Sequence, residues 1–210
     1  MKITIQAMEF KKFDVSQIKT GSSIGVIGKK RIGKTSLIRD FLDHHALSPY
    51  GVVFSEDLQL ETDEKEVAYH RTDANFSNDL QAFHERQINL IQEETEDPRA
   101  FLVIDDFYLD KDDYYLTSIY HNQRQLYITT VTSMQYPVKS SPMFDYVFIF
   151  CNSNSEERLY NMHADMFSSL EEFSTTLKEF IRKGYECLVI DNTSTSGSDR
   201  LEDIVFWYNR

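Results

Sequence analysis

Apolar positions along the chain fall into short β-branched or aromatic runs, separated by stretches in which they recur every three or four residues. The runs at 23–27, 51–54, 101–104, 126–132 and 146–150 predict strands buried on both faces. Between them, 35–45, 76–93 and 114–124 carry helical spacing; in the first, Leu37, Ile38, Phe41 and Leu42 share one face. Such an alternation predicts an α/β fold, a central and mostly parallel sheet flanked by helices on both faces. Further on, 170–183 reads as a helix closed by Gly184, followed by strands at 186–191 and 203–208 around a Ser/Thr-rich connection. No Gly/Ser-rich or Pro-rich linker divides the chain, so one domain spanning 1–210 is expected.

The connection after the first of these strands carries the strongest chemical signal. Gly28-Lys29-Lys30-Arg31-Ile32-Gly33-Lys34-Thr35 matches the P-loop pattern G-x-x-x-x-G-K-[ST] in full, with a strand before it and a helix continuing through Ser36. Consecutive backbone N–H groups in such a loop form a concave anion site, and the helix that follows presents its positive end. Lys34 brings an ammonium to the β and γ phosphates, and Thr35 offers a hydroxyl to Mg²⁺. A nucleoside triphosphate with Mg²⁺ is the expected ligand, held by Gly28 through Ser36.

In an open α/β sheet, ligands bind at the carboxyl ends of the strands, so the residues that follow each strand are the next candidates. Phe101-Leu102-Val103-Ile104 is followed by Asp105 and Asp106, the Walker B arrangement. The first carboxylate holds Mg²⁺ and the second orients or deprotonates the attacking water. Acids that merely cap the next segment are the alternative. Gln135, past the run at 126–132, is the candidate sensor of the γ phosphate or the water; a solvated turn amide before Tyr136-Pro137 is the alternative there.

Composition narrows the partners. The net charge of −12 argues against a surface coated for nucleic acid and leaves room only for a local basic track. The acidic runs at 56–66 and 110–113 are expected to be solvated faces. No stretch approaches the roughly 18 apolar residues of a membrane span. Met1-Lys2-Ile3-Thr4-Ile5 lacks the apolar stretch of a secretory signal, and a soluble intracellular protein is expected. Cys151 and Cys187 sit in apolar strand-like segments and are expected to be buried, reduced thiols.

The P-loop, the acid pair and the strand leading to Gln135 occur in the order that resembles the FtsK/HerA superfamily of P-loop ATPases, which share a RecA-like fold. The resemblance is closest to the poxvirus-type genome-packaging ATPases of large double-stranded DNA viruses. It is carried by Gly28–Ser36, by 101–106, by Asn122-Gln123-Arg124-Gln125-Leu126-Tyr127-Ile128 onward to Phe148, and by 185–192 with 203–208. It implies an Mg²⁺-dependent ATPase, ATP as the nucleotide, double-stranded DNA as the substrate, a homo-oligomeric ring, and a capsid portal or vertex component as a further partner. It also implies work in the host cytoplasm or viral factory, or in association with the virion.

Relatives of that kind often show Asn-Gly-Arg-His where this chain has Asn122-Gln123-Arg124-Gln125, so Arg124 matches and its neighbours depart. Arg124 is the candidate that completes a neighbouring subunit's site at the γ phosphate; a surface arginine paired with nearby acids is the alternative. Relatives also often carry an arginine shortly before the strand at 146–150; here Pro142, Met143 and Phe144 occupy that stretch and Lys139 is the nearest cation. Lys111 and Lys139 are candidate DNA contacts. The competing function is a nucleotide-dependent switch or assembly scaffold that hydrolyses ATP poorly.

Overall fold

β-Branched and aromatic residues form strands here because helices cover both faces of the sheet they enter. The computed structural model describes residues 10–44, 48, 50–55, 66–70, 75–105, 114–136, 144–150, 156–164, 166–182, 187–193 and 201–209. Its strands are Lys11–Lys12 (β1), Ser23–Ile27 (β2), Tyr50–Phe54 (β3), Glu66–His70 (β4), Ala100–Ile104 (β5), Ile128–Met134 (β6), Tyr146–Phe150 (β7), Cys187–Asp191 (β8) and Val205–Tyr208 (β9). They form one sheet in the order β1-β9-β8-β7-β2-β6-β5-β3-β4. Every neighbouring pair is parallel except those of β8, which runs antiparallel to both β7 and β9. β8 alone is therefore reversed, and the other strands deliver their carboxyl ends to one edge.

The helices are Lys34–His44 (α1), Phe76–Gln92 (α2), Tyr114–Asn122 (α3), Glu156–Met162 (α4) and Leu170–Arg182 (α5). Strand side chains alternate between the two faces. On β7, Tyr146, Phe148 and Phe150 join Leu37, Ile38 and Phe41 of α1, while Val147 and Ile149 join Phe173, Leu177 and Phe180 of α5. On β5, Phe101 and Val103 lie on the α1 face, and Leu102 and Ile104 meet Leu80 and Phe83 of α2 and Ile119 of α3. Each such buried Phe, Leu or Ile contributes about 1.5–3 kcal/mol relative to leaving it exposed. This is the flanked, mostly parallel sheet that the periodicity predicts.

The structure differs from the sequence reading at several elements, among them β1, a two-residue edge strand that was not predicted. Residues 126–127 form a turn, in which Leu126 N–H donates to Asn122 O at 2.9 Å, Ile128 N–H donates to Gln123 O at 2.8 Å, and Tyr127 takes a left-handed φ of 53°. β6 consequently starts later and runs on to Met134, which places Ser133 within the strand. The acidic run ends in an unpredicted strand, β4, which among the described residues pairs with β3 alone. A short helix, α4, was also not predicted; Leu159 on it is buried against the α5 side of the sheet. Cys187 is buried, as expected, while Cys151 lies outside the described residues.

Candidate active site

The P-loop leaves β2 at the carboxyl edge of the sheet. Gly28 N–H donates to Met134 O at 3.0 Å, which extends the β2–β6 pairing by one bond. Only glycine fits at this position, since an added Cβ would lie 2.7 Å from Phe150 Cβ and 2.9 Å from Ile32 Cγ2. The loop then turns through Arg31, with φ 63°, and Gly33, with φ 111°, a conformation that a Cβ disfavours. α1 begins at Lys34, and Leu37 N–H donates to Gly33 O at 3.0 Å. No acidic residue occupies the first turn of α1, so nothing there offsets the positive end of the helix.

Lys34 is 4% exposed, and its Nζ donates to Gly28 O at 2.9 Å and Lys29 O at 3.1 Å. Those two carbonyls hold the ammonium across the loop. Thr35 and Ser36 are half-buried in the first turn of α1, Lys29 and Ile32 are half-buried, and Lys30 and Arg31 are exposed.

Asp105 follows β5 at the same edge and is held from both sides. Its backbone N–H donates to Phe54 O at 2.8 Å. Its carboxylate accepts from Ser55 Oγ at 3.3 Å on one oxygen and from Ser133 Oγ on the other. The strand order explains this arrangement, because β5 lies between β3, which Ser55 directly follows, and β6, which carries Ser133. The two serines hold the carboxylate by its two oxygens. Sequence reasoning passed over both; their signal was a small hydroxyl residue at the tip of each strand flanking the acid-bearing one.

Gln135 is half-buried one residue beyond Met134, the residue that accepts from Gly28 N–H. β6 lies between β2 and β5, so Gln135 follows the strand that separates the P-loop strand from the one bearing Asp105. Asp106, Lys111 and Lys139 lie outside the described residues.

Arg124 is not brought to this edge of its own chain. It sits in the turn before β6, at the amino end of the strands, where Nη2 donates to Asp145 Oδ1 at 2.7 Å. The other oxygen of Asp145 accepts from Ser23 N–H at 2.9 Å and from Ser23 Oγ at 3.2 Å. Arg124 thus closes a polar junction across the starts of β2 and β7, while 72% of its side chain remains exposed.

The oxygen donors of Thr35 and Asp105 suit Mg²⁺, a hard cation usually bound by one or two carboxylates together with substrate phosphates. Among the described residues, no group of three or more His, Cys, Asp or Glu offers a metal cage. That donor set fits a metal shared with a nucleotide.

Comparison with known proteins bears on the fold. No family model matches the chain. It is 29% identical over 224 residues to an uncharacterized protein of Acanthamoeba polyphaga mimivirus, covering 95% of this chain and 76% of that protein. Among solved structures it is similar to the DNA-packaging ATPase from Sulfolobus Turreted Icosahedral Virus, with a TM-score of 0.58 and 14% identity, covering 91% of this chain and 98% of that one. The chain has a P-loop NTPase fold. The genome packaging NTPase from Sulfolobus turreted icosahedral virus 2, solved in complex with ATP-gammaS, is similar over the same shares with a TM-score of 0.56 and 16% identity. No helix among the described residues is long and apolar enough to cross a membrane.

Proposed function

We propose that this chain is a single-domain, Mg²⁺-dependent ATPase that works as a ring of identical subunits and drives double-stranded DNA into a preformed viral capsid. One observation carries the reading: the P-loop, Asp105 and Gln135 meet at one edge of a P-loop NTPase sheet. The relatives support the DNA step, since the similar solved structures are of viral DNA-packaging enzymes and the sequence relative belongs to a large DNA virus.

In this reading the loop amides and Lys34 hold the β and γ phosphates. Mg²⁺, when bound, neutralises developing charge on the phosphates and would be held by Thr35 and Asp105. Ser55 and Ser133 keep the Asp105 carboxylate oriented. Gln135 positions the attacking water, Asp106 accepts its proton, and Arg124 acts across a subunit boundary. DNA contact falls to a few cations in the ring's channel, because the surface as a whole is acidic.

The test is steady-state ATP turnover with and without duplex DNA. A motor is stimulated by DNA. Turnover indifferent to DNA would favour the scaffold or switch, and no turnover at any Mg²⁺ concentration would end the enzyme reading.

A further inference from the structure

A groove of about 580 Å³ opens beside α1, lined by Lys12, Phe13, Asp14, Val15, Asp40, Tyr208 and Asn209. We propose that it receives the nucleoside half of the nucleotide whose triphosphate the P-loop holds. This inference rests on the nucleotide-binding reading above and adds to it the part of the ligand that the loop does not touch.

Position is the first argument. β9 runs in the same direction as β7 and β2, and β1 is parallel to β9, so the ends of β1 and β9 emerge at the same edge as Gly28. Phe13 N–H donates to Trp207 O at 2.8 Å, which fixes the β1 side of the groove against the β9 side. β9 is the third strand over from β2, a lateral step of about 14 Å at the usual strand spacing. The other wall is α1 itself: Asp40 stands six residues after Lys34, about 9 Å along the helix. The helix that anchors the phosphates therefore also forms a wall of the groove.

Chemistry is the second argument, and it decides which end of the ligand belongs where. Asp40 lines the groove with a carboxylate, which repels phosphate but accepts hydrogen bonds from ribose hydroxyls and from base amino groups, whereas the Asp14 carboxylate already accepts from Ser16 N–H at 2.9 Å and Ser16 Oγ at 2.7 Å and Lys12 adds a cation to the lining. Tyr208 Oη donates to Asp40 Oδ2 at 2.7 Å and fixes that carboxylate on the groove wall. The Asn209 amide both donates and accepts, as the edge of a purine requires. Phe13, Val15 and Tyr208 are buried and supply apolar surface for the face of a base.

The experiment compares binding of ATP, GTP and inorganic tripolyphosphate, each with Mg²⁺, by calorimetric titration of the full chain and of Asp40→Asn and Asn209→Trp. The wild type should bind one purine triphosphate at least about tenfold more tightly than tripolyphosphate, the gain expected from one or more hydrogen bonds to a charged acceptor. Asp40→Asn should cut that advantage several-fold, and Asn209→Trp, which fills the groove, should abolish it, with tripolyphosphate affinity kept in both. Two results would overturn the groove while sparing the P-loop: equal wild-type affinity for ATP, GTP and tripolyphosphate, or an undiminished nucleotide advantage in both variants. A wild type that binds none of the three would overturn the nucleotide-binding reading and the groove with it.

Discussion

Lys34 and Asp105 are both buried; two backbone carbonyls accept from the cation, and two serine hydroxyls donate to the anion. Buried charges without such partners cost far more than exposed ones, so the arrangement has consequences for each substitution. Lys34→Ala removes the cation facing the phosphates, and turnover should fall by about 10²-fold or more with sharply weakened nucleotide binding. Unchanged turnover in a folded Lys34→Ala protein would remove the P-loop from the chemistry. Ser133→Ala takes away one of the hydroxyls that fix Asp105. The expected result is a rise of about tenfold in the Mg²⁺ concentration needed for half-maximal turnover, as when an outer-shell partner of a metal ligand is lost. Ser55→Ala should do less, because its bond is the longer at 3.3 Å. A Mg²⁺ titration that leaves the Ser133→Ala midpoint in place would show that Asp105 keeps its orientation without that hydroxyl. The P-loop and Asp105 were legible from the sequence because each is a local pattern next to a strand. Ser55 and Ser133 were not, because the pairing of strands distant in the chain brings them to the acid.

Strands and helices were legible where burial is two-sided. The boundaries of β2 and β7 agree with the apolar runs that predicted them, since every residue of both is buried. β4 escaped notice because it is a short strand at the edge of the sheet that begins in an acidic run and holds only the brief apolar stretch Val67-Ala68-Tyr69. The start of β6 was misplaced for another reason: the left-handed φ of Tyr127 ends a turn in a segment that reads as strand by composition. The close fit between β3 and β5 gives a test at this scale. Gly51 is paired with Phe101, and a Cβ on Gly51 would fall 1.9–2.2 Å from three atoms of the Phe101 ring. Gly51→Ala should therefore destabilise the protein by about 1–3 kcal/mol through overpacking, seen as a lower urea midpoint at unchanged m-value. A midpoint equal to the wild type's would mean that the Phe101 ring can move aside without cost.

At the scale of the molecule, the acidic surface and Arg124 bear on assembly. On the packaging reading, the net charge of −12 leaves DNA contact to a few cations brought together in a ring, so DNA affinity should rise with assembly and fall steeply with salt. Arg124 lies at the opposite edge of the sheet from its own P-loop, so any contact it makes with a γ phosphate must be with a neighbour's. Its bond to Asp145 supplies the competing explanation, an exposed ion pair typically worth about 0–1 kcal/mol. Mixing separates the two. If Arg124 acts across the boundary, Arg124→Ala and Lys34→Ala subunits, each inactive alone, should regain part of the turnover together, since some interfaces then join an intact P-loop to an intact arginine. Arg124→Lys sharpens the comparison, because it keeps a charge for Asp145 but loses the planar fork suited to phosphate. An arginine that acts in trans predicts folded but slow Arg124→Lys subunits that are likewise rescued by Lys34→Ala. Turnover near wild type in Arg124→Ala would confine Arg124 to its bond with Asp145 at the starts of β2 and β7.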